Sequence, residues 1–223
     1  MKILYANGDS WTFGDEFPVQ YPMTEVNRYY NTWPWQLAEN LSIPLVINDA
    51  ISAGSNARIF RRTCDFIFSW LGKNRDSRDL VIVIGWTTPE RTEIFHDDRN
   101  CRITVNQLVD NRHSSDLKEY QQIYYRLYND NQGLLNQVRQ MLMLRQLCQN
   151  LGIRYYDFIA LGCDANVYQN LAIKKYGLKL DRLLYPLSWQ HITNDENWST
   201  FRYGHPTEQT HKLWADILAG LIE

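Results

Sequence analysis

Cysteine is scarce in this chain of 223 residues, and the sequence contains no CxxC pair. The four cysteines, Cys64, Cys101, Cys148 and Cys163, lie far apart along the chain. In a domain of this size such spacing predicts reduced, partly buried thiols instead of a disulfide framework or a zinc site.

Long hydrophobic runs and an excess of one charge are also missing. The formal net charge is −2, the pI is about 6.2, and the lysines and arginines are scattered. Neither a nucleic acid nor an anionic membrane surface is therefore expected as a partner. No apolar stretch approaches membrane-spanning length, and the segment Met1–Asp9 turns polar too early for the core of a signal peptide. We expect a soluble cytoplasmic protein.

The sequence shows no internal repeat, no low-complexity linker, and no Walker or dinucleotide fingerprint. Its length fits one domain over residues 1–223, and no cofactor is expected. The most unusual feature of the composition is its eight tryptophans and fourteen tyrosines. Such aromatic side chains often fill a core, and the alternative is a groove lined for sugar rings or acyl chains.

Short apolar runs alternate with helical patterns along the chain. The runs predict buried parallel strands at Lys2–Ala6, Leu45–Asn48, Leu80–Ile84 and Ile153–Ile159. Helices are predicted at Trp33–Leu41, Asn56–Leu71, Leu134–Leu151 and Pro206–Ile222, with Gly152 ending the third of them. This alternation predicts an α/β fold whose parallel sheet is covered on both faces. Two polar, aromatic-rich stretches, near 95–130 and 163–199, are predicted insertions that shape a substrate groove.

A serine follows the first predicted strand directly. Ser10 lies in the segment Asn7–Gly14, and the glycines Gly8 and Gly14 allow a tight turn around it. If a helix begins here, its free N–H groups favour a developing oxyanion near the serine. The tripeptide Gly-Asp-Ser is also an ordinary turn or N-cap sequence, so its position after a strand carries the argument.

A histidine near the other end of the chain supplies the matching base. His205 is followed by Pro206, which predicts that it lies at the entrance of the last helix and projects back over the sheet edge. A serine hydroxyl is a poor nucleophile until an adjacent base takes its proton. We therefore predict that Ser10 is the nucleophile and His205 the general base.

These segments resemble the sequence blocks of the GDSL/SGNH hydrolases. Gly8–Ser10 is similar to the first block, Gly204–Pro206 to the last, and Gly54 within Asn48–Asn56 to the glycine of the second. The resemblance implies a three-layer, flavodoxin-like α/β fold and metal-independent ester hydrolysis or acyl transfer through an acyl-serine. It also implies that the N–H groups of Ser10 and Gly54 form an oxyanion hole.

The third block departs from the family pattern, which places Gly-x-Asn-Asp after the third strand. Here Thr87 stands where the oxyanion-binding Asn is expected, so its hydroxyl is a third donor with a different reach. Arg91 could supply charge instead, or it could pair with Glu90 or Glu93.

The last block departs as well, because the family's acid lies three residues before the His and here that residue is Arg202. A carboxylate from another segment, with Asp195 first and Asp49 second, could orient His205 instead. The alternative is a Ser–His dyad steadied by a backbone carbonyl. We predict that Arg202 points away from the imidazole.

Other candidate residues complete the predicted site. Asp9, Trp11, Trp86 and Arg91 lie beside the catalytic positions in the sequence and are predicted to contact substrate. The run His96–Asp98 resembles a metal cluster but has no second His at ligand spacing, so no metal is expected. His211 is predicted to be a surface or packing residue of the last helix.

The predicted function is hydrolysis of an ester. The enzyme would remove an O-acyl group, with acetyl as the preferred one, from a carbohydrate or another small polar molecule. One alternative is an acyltransferase that passes the same acyl group to a sugar hydroxyl. The other is a non-catalytic binding module on the same fold.

Overall fold

The computed structural model describes residues 1–15, 30–96, 99–103, 115–161, 165–180, 201–202 and 205–222. Its strands are β1 Ile3–Asn7, β2 Leu45–Asn48, β3 Leu80–Trp86, β4 Thr92–His96, β5 Arg99–Ile103, β6 Arg154–Ile159, β7 Phe201–Arg202 and β8 His205–Pro206. Its α-helices are α1 Ser10–Phe13, α2 Trp33–Asn40, α3 Asn56–Gly72, α4 Ser115–Leu127, α5 Asp130–Asn150, α6 Ala165–Tyr176 and α7 Glu208–Ala219. A short 3₁₀ turn at Ser77–Asp79 precedes β3.

The main sheet has the order β2–β1–β3–β6, and all its pairings are parallel. Every residue of β1 and β3 is buried, whereas β2 lies at an edge and is partly exposed. The apolar side chains of the central strands alternate between two core layers, as the period of a strand requires. One layer packs against α3, α5 and α6, and the other against α2 and α7. This arrangement confirms the predicted three-layer α/β fold with helices on both faces of a parallel sheet.

Helix boundaries follow the capping residues. Ser55 caps α3, since its side chain accepts a hydrogen bond from the N–H of Arg58 (3.2 Å). Asn129 caps α5 in the same way, so this helix begins four residues before the predicted Leu134. Gly152 follows the helix at φ +66°, as predicted.

The start of the last helix differs from the prediction. Thr207 is the N-cap of α7, and its hydroxyl accepts from the N–H of Thr210 (3.4 Å). His205 and Pro206 instead form β8, which pairs with β7 in an antiparallel ladder. The prediction that His205 stands at the entrance of the last helix is therefore wrong, because His205 lies in β8 and α7 begins only at Glu208.

Both predicted insertions contain regular structure where they are described. The first includes the β4–β5 hairpin and α4, and the second includes α6.

Cys64 and Cys148 are free thiols, and burial raises the pKa of the Cys148 thiol to about 12. In the described part of the chain, no helix has both the length and the apolar character needed to cross a bilayer.

Candidate active site

Ser10 is the first residue of α1, directly beyond the carboxyl end of β1. The side chain of Asp9 caps this helix by accepting from the N–H of Trp11 (3.1 Å). Gly14 ends the helix after one turn at φ +83°. Ser10 itself is 6% exposed, so nearly all of this residue is buried at this edge of the sheet.

Close backbone packing holds the segment before the serine. A side chain on Gly8 would collide with Thr12 and would lie 3.1 Å from the carbonyl oxygen of Gly85. The N–H of Gly8 donates to Oδ1 of Asn7 (2.9 Å), and the Asn7 amide in turn donates to Oγ1 of Thr63 on α3 (3.3 Å). The turn that presents Ser10 is thus fixed to β3 and to α3.

Gly54 packs against the same turn. A Cβ on Gly54 would lie 2.8 Å from the carbonyl oxygen of Gly8, so only glycine fits here without displacing the segment that carries Ser10. The N–H of Gly54 donates to the carbonyl of Ile51 (3.1 Å) within a local turn. In this structure it is therefore not the oxyanion donor that the sequence predicts, because a turn already uses it.

Thr87 also has a different role from the predicted one. Its side chain is buried, and its hydroxyl donates to Oδ2 of Asp9 (2.7 Å). Arg91 donates to the same carboxylate oxygen (2.9 Å) and to the Thr87 hydroxyl (2.9 Å). Thr87 thus links the two members of a partly buried ion pair instead of standing as a third oxyanion donor. Asp9 is fully buried and is not a substrate contact, whereas Arg91 keeps part of its side chain exposed.

Two amide side chains hold Thr87 in place, and neither was predicted as a site residue from the sequence. Asn56 accepts from the N–H of Thr87 (2.9 Å) and donates to its carbonyl oxygen (3.0 Å). Gln137 on α5 donates to the same carbonyl oxygen (3.2 Å). Asn56 directly follows the Ser55 cap of a helix that starts at the sheet edge, a signal that was available in the sequence. Gln137 lies 50 residues from its partner and gave none.

The two tryptophans predicted to contact substrate belong to the core. Trp86 is fully buried, and its Nε1–H donates to Oδ2 of Asp157 (2.9 Å). The prediction for Trp86 is therefore wrong. Trp11 is 8% exposed and packs in the layer that contains Trp33 and Trp214, so its ring does not line an open groove.

The elements that carry Ser10 and His205 are neighbours, because β8 lies next to α1. His205 is partly exposed, and Arg202 is its partner in the ladder between β7 and β8. The hydrogen bond between Ser10 and His205 stays a prediction, as does the direction of the Arg202 side chain. Asp195 lies outside the described residues, so its role as the orienting acid also stays a prediction.

Asp49 is excluded as that acid by its contacts. Its carboxylate accepts from Nε and Nη2 of Arg62 (3.0 and 3.1 Å) and from the hydroxyl of Tyr5 (3.0 Å). Arg58 adds a further ion pair to the same group. Burial, together with the charge of Asp49, raises the pKa of Tyr5 above its usual range. The alternative that Asp49 orients His205 is wrong, since this carboxylate serves a network between β1 and α3.

His211 packs in the core, as one of its two predicted roles required. Its Nδ1 accepts a hydrogen bond from the N–H of Trp33 (3.0 Å) and so satisfies a donor at the start of α2. Burial lowers the pKa of this imidazole to about 3. His211 is thus a neutral acceptor that joins α7 to α2.

No cluster of three or more metal-ligating side chains occurs among the described residues. Asp97 and Asp98 of the His96–Asp98 run lie outside those residues.

A pocket of about 190 Å³ opens beside the Thr87–Arg91 segment. It lies between the start of α3, the end of α4 and the first half of α5. Arg91 lines it together with a set of Asn, Gln and Tyr side chains, so it adjoins the Asp9–Thr87–Arg91 cluster.

Comparison with known proteins places the chain in a family. A family of unknown function, DUF6071, matches residues 19–223. The chain belongs to the DUF6071 family. No curated protein matches this DUF6071 chain.

Solved structures share the fold of this DUF6071 chain at low sequence identity. One is LAE5, an α/β hydrolase enzyme from the metagenome of Lake Arreo (TM-score 0.55, 12% identity, 99% of this chain and 94% of the other). Another is a member of the lipolytic G-D-S-L family from Veillonella parvula (0.52, 11%, 99% and 97%). A third is the acetyl xylan esterase Est2A from Butyrivibrio proteoclasticus (0.53, 12%, 98% and 63%). These similarities show that the chain shares its fold with the three solved structures, one of which is a GDSL protein.

Proposed function

We propose that this protein is a serine esterase that removes an O-acyl group from a carbohydrate or another small polar molecule, with acetyl as the preferred acyl group. The observation that carries the proposal is the position of Ser10. It begins a helix at the carboxyl edge of a parallel sheet, and the strand that bears His205 lies next to that helix. Ligands of such sheets bind at this edge. The fold shared with a GDSL protein and with esterases supports the proposal.

The reaction proceeds through an acyl-serine. The Ser10 Oγ attacks the ester carbonyl while His205 takes the hydroxyl proton. The tetrahedral intermediate collapses, the C–O bond to the alcohol breaks, and His205 returns the proton to the leaving alcohol. A water molecule then attacks the acyl-serine with His205 again as base, and the carboxylic acid leaves.

Stabilisation of the oxyanion is assigned first to the backbone N–H of Ser10. Gly54 lets the backbone of Gly8 and Asp9 approach closely, which holds that N–H in place. Arg91 contacts the segment that carries Ser10, with Nη1 bound to Asp9 and Thr87. A guanidinium carries five N–H donors, so the N–H groups that Asp9 and Thr87 leave unused can donate hydrogen bonds to the oxyanion, although Asp9 already balances the charge of Arg91.

A second candidate function, a non-catalytic binding module, is favoured by the altered third block. The Thr87 hydroxyl donates its hydrogen bond to Asp9. The side-chain donor that the GDSL/SGNH hydrolases have at this position is therefore missing from the oxyanion hole. Loss of one such donor lowers turnover by about a hundredfold to a thousandfold in enzymes that depend on it. An acyltransferase would use the same groups as the esterase and would differ in the acceptor.

A panel of substrates tests the proposal. Purified protein is assayed on p-nitrophenyl esters of increasing acyl length and on acetylated monosaccharides and xylo-oligosaccharides, with Ser10→Ala as the inactive variant and the exposed Ser69→Ala as control. We expect release of acetate, highest for the shortest acyl group, that Ser10→Ala abolishes and Ser69→Ala retains. Turnover that survives Ser10→Ala would refute the assignment, and transfer to an added sugar in place of acetate release would identify the acyltransferase.

A further inference from the structure

The pocket beside Arg91 has a lining rich in side-chain amides, and we call it the amide pocket. Six carboxamide residues line it: Asn56, Asn129, Gln132, Asn136, Gln137 and Gln140. A carboxamide carries both donors and acceptors, which is the pattern that a ligand rich in hydroxyl groups requires. Part of this capacity is used within the protein, since Asn56 binds Thr87 and Gln132 donates to Asn136.

The charge of the amide pocket favours a neutral ligand. Arg91 is the charged residue of its described lining, and none of the lining residues is acidic. Nη1 of Arg91 pairs with the buried carboxylate of Asp9 at 2.9 Å, so its charge is already balanced. A ligand with a carboxylate or phosphate would compete with Asp9 for this cation.

One buried acceptor in the pocket lacks a partner. Gln137 is 1% exposed, and its Nε2–H donates to the carbonyl of Thr87 (3.2 Å). Its Oε1 has no hydrogen-bond partner among the described residues. A buried amide oxygen is normally satisfied, and a ligand hydroxyl that donates to it would remove the deficit.

Two tyrosine rings form an apolar part of the same wall. The rings of Tyr124 and Tyr128 pack with centroids 5.7 Å apart, and the Tyr124 hydroxyl donates to the carbonyl of Glu90 (3.2 Å). Gly133 in α5 makes room for Tyr128, since a side chain at this position would collide with the Tyr128 hydroxyl. Glycine is unfavourable inside a helix, so this contact explains its presence. The wall thus combines flat apolar rings with amides, which suits the C–H face and the hydroxyls of a sugar.

We propose that the amide pocket binds a neutral sugar residue, the glycosyl part of the ester that Ser10 attacks. The assignment of this sugar to a substrate rests on the proposed function. Asn56 and Gln137 both line the pocket and both hold Thr87, which binds the residue next to Ser10, so sugar binding and the serine loop share one set of contacts.

Binding to the Ser10→Ala protein tests the proposal without turnover. The probes are methyl glycosides of glucose, galactose, mannose, xylose and N-acetylglucosamine, with methyl glucuronide as the charged comparison, and saturation-transfer NMR detects binding. We expect millimolar binding of at least one neutral glycoside. Gln137→Met and Gln140→Ala should each weaken it by about tenfold. The control Gln146→Ala should not, because Gln146 lies on the exposed side of the same helix and bonds to Asn150.

Failure of this inference can be distinguished from failure of the proposed function. Three results would overturn the assignment of the pocket. They are no binding of any neutral glycoside, tighter binding of the glucuronide than of the neutral glycosides, or binding by Gln137→Met and Gln140→Ala as tight as that of the Ser10→Ala protein without them. Labelling of the wild-type protein by a serine-reactive fluorophosphonate requires no sugar and tests the nucleophile separately. Neutral-sugar binding in a protein that resists the label would support the pocket and refute the esterase.

Discussion

Single residues around Ser10 hold the serine loop by polar contacts. Asp9 caps the helix that Ser10 begins, Asn7 holds the N–H of Gly8, and Thr87 joins Asp9 to Arg91. These contacts leave the chemical step to Ser10 and His205.

The catalytic prediction concerns Ser10 and His205 as a unit. On any ester that is turned over, Ser10→Ala and His205→Ala should each lower kcat/KM by at least about a thousandfold, and the double variant should lose little more. Asp195→Asn should cost much less if the mechanism is a dyad, and about as much as His205→Ala if Asp195 is the orienting acid. Intact turnover in His205→Ala would rule out the mechanism.

The stability prediction concerns His211. The folded protein keeps this imidazole neutral, with its pKa lowered to about 3, while the unfolded chain takes up a proton near 6.5. Because the unfolded state binds more protons between these values, the contribution of His211 to stability falls as the pH falls through this window. His211→Asn keeps an acceptor for the N–H of Trp33 without the titration.

Urea unfolding at several pH values measures this effect. Between pH 6 and pH 4 the wild-type free energy of unfolding should fall faster than that of His211→Asn, by up to about 1.4 kcal/mol per pH unit. Parallel curves for the two proteins would show that the histidine is protonated in the fold or accessible to water.

At the scale of elements, the site depends on close approach between the turn before α3 and the turn before α1. Gly54→Ala would bring a methyl group within 2.8 Å of the Gly8 carbonyl and displace the loop that carries Ser10. A shift of that loop should lower kcat by roughly tenfold to a hundredfold. Gly72→Ala is the matched control, since a side chain there meets no atom within 4 Å.

Turnover and thermal unfolding of both variants check this prediction. Gly72→Ala should retain the wild-type activity and melting temperature. An unchanged kcat and KM in Gly54→Ala would mean that the serine loop tolerates displacement, or that Gly54 does not support it.

The strands of the main sheet were predictable from the sequence because burial follows local periodicity. All four main strands lie within two residues of their predicted ends, since apolar runs between helical patterns fix them. Trp86 could also have been predicted correctly, because it shares the alternation of Ile82 and Ile84 and so faces the same buried layer. The strand at His205 was not predictable, because a ladder of two residues on each side is too short to show the alternation of a strand.

The site was less predictable than the fold, for reasons of sequence separation. Thr87 meets Asp9 across 78 residues, and nothing near either residue indicates that the hydroxyl is used there. Asp49 has no partner that the sequence indicates, whereas in the fold its carboxylate contacts Arg62 and Tyr5. Sequence blocks give the order of the catalytic residues, whereas the folded chain determines which polar groups are already satisfied.

At the scale of the whole molecule, a parallel sheet between two helical layers brings the two ends of the chain together. β1 delivers Ser10 from the start of the chain, and β8 delivers His205 from near its end. Esterase, acyltransferase and binding module would all keep this architecture. Activation of Ser10 separates the two enzymes from the binding module.

Labelling with a fluorophosphonate probe measures that activation directly. We predict stoichiometric modification of the folded wild-type protein, located by mass spectrometry on the peptide that contains Ser10. Ser10→Ala and His205→Ala should abolish the label, and Ser69→Ala should keep it. Absence of labelling in the folded wild-type protein, or labelling that persists in Ser10→Ala, would contradict the account.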